Sequence, residues 1–350
     1  MRPWMLAVVL YACDTQNSTN DDDIIEADVD TDSDADTDTD TDSDSDADTD
    51  SDADTDADTD TDVDTGPTPA PLVMYLSRDV DSRTHPEDVD DEADLCPSGA
   101  TYLGGNGWNA VCLDSSLHGL SYVIQNAAGE FYPNDVSREA DLCPAGWEHL
   151  GGSSYTAMCG HTSPHMLVEM FQDDEQLHVD DVSFEDRARI CPDGFDYHGG
   201  AYYGSVVCGK SGMGVTVQLS RDTTGETTND KGPAEICPSS WTFVGQAWYG
   251  NPVCTKDGPG TVIGLTRTAS GDTWPETLDE ESAMCPSGWT FVGGSSWTSM
   301  CWTETVYTVV SLTRDAAGRT HPEDLDEEAL LCPSGFTYVG GASYAAVCIQ

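Results

Sequence analysis

The chain has 350 residues, of which 65 are Asp or Glu, 13 are Lys or Arg and 13 are Cys, for a formal net charge of -52. Such acidity repels phosphate backbones and anionic lipid, which excludes nucleic acid and a basic-patch membrane contact as partners. So many cysteines point to an oxidising compartment and a disulfide framework. The acidity is uneven, because 24 of the 65 acidic residues and a single base, Arg2, fall within residues 1–65, leaving 41 acidic and 12 basic residues and a net of -29 in the rest.

At the start, Arg2 precedes a short apolar run, MLAVVLYA at 5–12, and then Cys13. The run is far shorter than the roughly 20 residues that span a bilayer, and its order is that of an export signal. Leu10, Ala12 and Cys13 match a lipobox, with Tyr11 where a small or branched residue is usual, and over residues 1–14 the chain resembles a bacterial lipoprotein signal. That resemblance implies removal of a signal peptide at 1–12 and lipidation of Cys13 as the new N-terminus. It also implies export to the bacterial cell envelope or surface, with membrane contact through the N-terminal lipid only. Cys13 is also the one cysteine left over from the pairing pattern described below.

Residues 13–71 read as an acidic tether. From Asp28 to Asp64 every even-numbered residue is Asp, alternating with Thr, Ser, Ala or Val. A strand with this alternation would stack unpaired carboxylates on one face, and the run holds no aromatic residue with which to offset its ordering entropy. A disordered, self-repelling, extended spacer is expected. Calcium loops of the DxDxDG type need a Gly for their turn, and none occurs before Gly66.

The remaining twelve cysteines form six pairs: Cys96 and Cys112, Cys143 and Cys159, Cys191 and Cys208, Cys237 and Cys254, Cys285 and Cys301, Cys332 and Cys348. Recurrence six times at about 47 residues marks a repeat architecture, with units at 72–113, 119–160, 165–209, 214–255, 260–302 and 308–350. Zinc sites want cysteines two to four residues apart, and no such pair exists in the chain, so six local disulfides are expected, with pairing between neighbouring units as the alternative.

Each unit opens on a strand. LVMYLSRD (72–79), VTVQLSRD (215–222), TVIGLTRT (261–268) and TVVSLTRD (308–315) align on Arg78, Arg221, Arg267 and Arg314, and the residues two and four before each Arg, such as Leu76 and Met74, predict a buried face. The recurrent Arg is expected to pair with an acidic loop of its own or a neighbouring unit. That loop follows the strand, as in RTHPEDLDEEALLC (319–332), where DEEAL suggests one helical turn. A closing phrase, clearest in CPSGWTFVGGSSWTSMC (285–301), has Pro after the first Cys and a Gly at the centre in every copy: Gly104, Gly151, Gly199, Gly245, Gly293 and Gly340. This predicts a hairpin stapled at its base, with the Gly supplying the positive φ of its turn.

Three strands per unit, with room for a short fourth, cannot bury both faces alone, so the units should stack. The expectation is an all-β six-repeat protein, a six-bladed β-propeller with one hairpin disulfide per repeat; the alternatives are two threefold β-domains or a string of disulfide-stapled β units.

Four residues past each central Gly stands an aromatic ring: Trp108, Tyr155, Tyr203, Tyr249, Trp297 and Tyr344. Exposed, such rings stack on sugars or anchor protein partners; buried, they fill the space between repeats. Trp147, Trp241, Trp289, Phe195 and Phe336, four before the Gly, read as core. His161 and His165 lie four apart in a loop-like HTSPH segment with no completing Glu, while His85 and His321 recur only in the outermost units. No catalytic motif of serine hydrolase, nucleotide or dinucleotide type occurs, and no paired-repeat cysteine is spare. The sequence therefore predicts a surface-tethered, non-enzymatic, multivalent module that binds extracellular glycan or protein, without catalytic residues, metal or cofactor. A structural surface or matrix lipoprotein is the alternative, and a hydrolase using an unidentified carboxylate pair a minor one. Calcium in the acidic loops, motivated by Asp79, Asp81 and EDLDEE at 323–328, is a minor cofactor expectation.

Overall fold

In the computed structural model, residues 67–350 are described except for 82–83, 85–88, 132–135, 154–155, 202–203, 274–277, 296 and 321–324. The signal peptide expected at 1–12, the expected lipidation at Cys13, the expected tether up to residue 66, and His85 and His321 lie outside the described residues.

The local order of each unit follows from its sequence pattern. In the first, the opening strand Leu72–Leu76 runs antiparallel to Asn109–Asp114, which pairs in turn with Thr101–Asn106. The same three-strand order recurs in the other five. Met74 and Leu76, Val217 and Leu219, Ile263 and Leu265, and Val310 and Leu312 are buried, as the period-two pattern requires. Six disulfides close the hairpins, each between the cysteines of its own unit and with Cα atoms 5.5 to 5.7 Å apart. Closing a loop of this size stabilises each unit by roughly 3 kcal/mol.

The acidic loop ends in a helical turn in all six units, not only at DEEAL: Val89–Leu95, Val136–Leu142, Phe184–Ile190, Pro233–Ile236, Leu278–Ala283 and Leu325–Leu331. The residue before each first Cys, namely Leu95, Leu142, Ile190, Ile236, Met284 and Leu331, is buried and pins the turn against the hairpin.

The fourth strand of each sheet comes from the preceding unit. Past its last buried aliphatic, each opening strand crosses over and joins the next hairpin. Gln125–Asn126 pairs with Asp196–Gly200, Gln172–Asp173 with Thr242–Gln246, and Arg267–Thr268 with Thr337–Ala342. Single bridges do the same at Arg78 with Gly152 and Arg221 with Gly294. The series closes on itself, because Arg314–Asp315 of the last unit pairs with Gly104 and Gly105 of the first. Six small antiparallel sheets thus form a ring, a six-bladed β-propeller.

Six apolar clusters fill the ring, each shared by two successive units. Met74, Leu76 and Cys112 of the first unit meet Leu150 and Met158 of the second, and at the closing junction Tyr75 and Val111 meet Val310, Leu312 and Ala346. Trp147, Trp241, Trp289, Phe195 and Phe336 pack partly buried against these clusters.

The central glycines do not form the hairpin turns. Their φ values are positive, but each sits at a β-bulge in the first hairpin strand, between Tyr102 and Gly104 in the first unit and at the same place in the others. The bulge lets the neighbouring unit's strand come close: a Cβ on Gly104 would stand 2.5 Å from the carbonyl oxygen of Arg314. Gly104→Ala should therefore destabilise the ring at its closing junction by about 1–3 kcal/mol from backbone strain alone. Denaturant melting beside Gly107→Ala, where φ is also positive but nothing lies within 4 Å of the would-be Cβ, isolates the added clash at Gly104, which should make Gly104→Ala the more damaging; equal effects of the two substitutions would contradict the close approach.

Candidate functional site

The hairpin turns lie three residues beyond the bulges, and four of the repeated aromatics are seen to sit on them. Trp108, Tyr249, Trp297 and Tyr344 are 71%, 62%, 70% and 72% exposed. They do not fill the space between repeats. Tyr155 and Tyr203 lie outside the described residues. Because the blades repeat around a ring, the tips share one face, and Ser153 Oγ at the second tip donates a 2.9 Å hydrogen bond to Asn109 Oδ1 at the first.

Sequence reasoning missed Trp248, which precedes Tyr249 on a short 3-10 turn, Trp248–Gly250, and is 41% exposed. Its ring stacks edge-on against Phe171 of the preceding unit at 4.8 Å and against Tyr249 at 5.4 Å. The available signal was the cysteine separation of 17 in the third and fourth units against 16 in the rest, which lengthens the tip by one residue.

Three of the tips are clamped from outside their own unit. At the first tip the Gly107 N–H donates to Thr313 Oγ1 at 2.9 Å, and Arg314 Nη1 donates to the Gly107 carbonyl at 2.7 Å. At the sixth, the Ser343 N–H donates to Thr266 Oγ1 at 2.9 Å and Arg267 Nη1 donates to the Ser343 carbonyl. The second tip is held by Arg78 Nη2 on the Thr156 carbonyl at 3.1 Å. The residue beside the ring is thus fixed by the crossing strand of the previous blade.

These arginines, and Arg221 with them, also meet a buried carboxylate of the following unit. Arg78 Nε lies 3.0 Å from Glu139, Arg221 Nη2 3.1 Å from Glu281, Arg267 Nε 3.0 Å from Glu328 and Arg314 Nε 3.1 Å from Glu92. The expected partnership with an acidic loop is therefore made with the following unit. Tyr102 donates to Glu92 at 2.6 Å and Tyr338 to Glu328, and burial holds both phenols well above the usual tyrosine range. At the other two junctions the pair is replaced on both sides: Gln125 crosses toward the unit carrying Arg187, and Gln172 toward the unit carrying Pro233 at the position of the Glu. Removing one partner of a buried ion pair costs about 3–5 kcal/mol. Arg314→Met should thus destabilise the protein far more than the double change Arg314→Met, Glu92→Leu, with melting temperatures as the readout. Equal losses would show that the pair is not coupled.

The acidic loops turn their aspartates inward. Asp79, Asp222 and Asp315 are buried, and each accepts backbone N–H groups of its own loop, from Asp81, from Thr224 and Glu226, and from Ala317 and Arg319 respectively. Among the described residues, no group of three or more His, Cys, Asp or Glu side chains could hold a metal ion.

His161 and His165 meet where the second and third units join. With His198 they surround Trp147 at ring separations of 5.1, 4.8 and 4.9 Å. His198 is buried, with Nδ1 3.0 Å from Ser121 Oγ. Burial and the neighbouring His165 and His161 hold its pKa down to about 4, against the opposing pull of Asp196. The folded protein therefore keeps this imidazole neutral, while the unfolded chain takes up a proton near 6.5. Stability present above that value is lost as the pH falls toward 4, by about 3 kcal/mol at most from this group. His198→Asn should flatten this part of the pH dependence of unfolding; an unchanged slope between the two proteins would contradict the assignment.

Compared with protein-family models, with curated proteins and with solved structures, the chain matches none. Its class is therefore defined by its own geometry: a disulfide-stapled six-bladed propeller that, among the described residues, presents aromatic rings on the hairpin tips of four blades.

Proposed function

We propose that this protein is an exported, lipid-tethered recognition module, not an enzyme, that engages extracellular glycan or protein ligands through its ring of hairpin tips. The observation that carries the proposal is the exposure of Trp108, Tyr249, Trp297 and Tyr344 on hairpin tips, of which those of Trp108 and Tyr344 are held by hydrogen bonds from the neighbouring blade. Large aromatic rings left in water are the usual anchors of sugar and protein contacts, and anchoring them beforehand lowers the entropy lost on binding. Six disulfides suit an oxidising, extracellular setting, and among the described residues no helix is long and apolar enough to cross a membrane. A lipid on Cys13 and the acidic tether would hold the propeller out from the membrane.

Screening the full chain against glycan and extracellular-protein arrays should yield binding that weakens at low ligand density, the mark of several modest sites acting together. No binding to any ligand would favour the structural surface reading instead. Mass spectrometry of the mature N-terminus should find Cys13 lipidated; cleavage elsewhere would remove the anchor from the proposal.

A further inference from the structure

Resting on that reading, we infer that the ligand of the tip ring is a neutral carbohydrate polymer, stacked through its sugar faces on the tip aromatics. The inference deepens the recognition reading by excluding charged ligands, and it starts from a contrast in composition. Residues 66–350 carry 41 acidic and 12 basic groups, yet the hairpins from bulge to second Cys, at 103–112, 150–159, 199–208, 244–254, 292–301 and 339–348, contain no Asp, Glu, Lys or Arg. The tips read NGWN, SSYT, AYYGS, AWYGN, SSWT and ASYA. They combine a flat ring with Asn, Ser, Thr and small residues, and the described rings among them are exposed.

Each class of ligand makes a different demand on such a surface. A cationic protein segment needs carboxylates at the point of contact, and the tips have none. An anionic polymer would need bases to offset the domain's net charge, but the tips carry none, and Arg78, Arg221, Arg267 and Arg314 are committed to buried carboxylates. An uncharged sugar needs an apolar platform for its C–H face and short neutral hydrogen-bonding groups beside it, as the tips provide. A polymer can also occupy several tips of one ring, so that weak single contacts combine. Thr313 and Arg314, and likewise Thr266 and Arg267, act as positioning residues: they hold the turn backbone beside Trp108 and Tyr344 without being presented to the ligand.

The test uses the full chain, titrated with a panel of neutral glucans, galactans and mannans, with polygalacturonate and with polylysine, at salt concentrations from about 0.05 to 0.5 M. Tryptophan fluorescence and calorimetry read the binding. The expected result is binding to at least one neutral polymer that is nearly independent of salt and falls by about tenfold or more in the Trp108→Ala, Trp297→Ala double variant. Melting temperatures of parent and variant, taken beside the titrations, separate loss of contact from loss of fold. Binding confined to polylysine or polygalacturonate and abolished by salt would overturn the ligand class while leaving a recognition surface in place. Neutral-polymer binding that persists unchanged in the double variant would overturn the tips as the site. Failure of every polymer to bind would overturn the inference, and the recognition reading would then stand or fall on the protein arrays.

Discussion

The architecture depends on one short crossing, where each opening strand leaves its own sheet and becomes the last strand of the next. Two or three residues make the transfer, and around them gather the bulge glycine that lets the strand approach, the arginine that enters the neighbouring unit, and the buried glutamate that receives it. Hydrophobic packing between blades supplies most of the driving force, as it must in small units that cannot bury both faces alone. Packing alone tolerates sliding, however. The crossing fixes register, since the Arg reaches its Glu and its tip carbonyl together only when the strand is seated at the bulge.

Structural and candidate functional parts therefore share the same atoms. The guanidinium of Arg314 accepts the constraint of a buried carboxylate on one side and steadies the turn of Trp108 on the other. Stability of the ring and order at the tips are coupled through this group. Where the pair is absent, at the second-to-third and third-to-fourth junctions, other packing takes over: a cluster of three imidazoles around Trp147 at one, and Phe171 against Trp248 at the other. Both sides of the ion pair change together at these junctions, which is the expected behaviour of a buried charge whose partner has gone.

Much of the fold was legible because it is written locally and six times over. Alternation in the opening strands, equal spacing of the cysteines and the recurrence of one arginine led to a stapled hairpin per unit and a stacked ring. What escaped was non-local. The sequence leaves room for a short fourth strand, but that strand is only a pair or so of residues long and belongs in sequence to the previous unit, so no periodicity within a unit reveals which sheet it joins. The central Gly stands midway between the cysteines and so reads as the turn, yet the first Cys lies before the hairpin strand: Cys112 pairs with Tyr102, six residues past Cys96, which puts the true tip at Gly107 and Trp108. The same shift moved the aromatics from the arm, where burial is common, to the apex, where Trp108 and Tyr344 meet solvent. For the site, the residue positions were readable and their exposure was not, because exposure depends on how far the neighbouring blade rises beside each turn.

The closing junction has a consequence for how such a chain can grow. Many rings would need a strand from one terminus to complete the blade of the other, but here each unit carries three strands and exports a fourth forward, so the last unit latches the first with the same device used between any two. The unit of assembly and the repeat in the sequence then coincide. Inserting one copy adds a blade, its staple, its latch and its tip at once, and no terminal segment has to be reinvented. Only the angle between blades limits the number, which makes ring size, rather than blade chemistry, the variable that descent could alter without first breaking the fold.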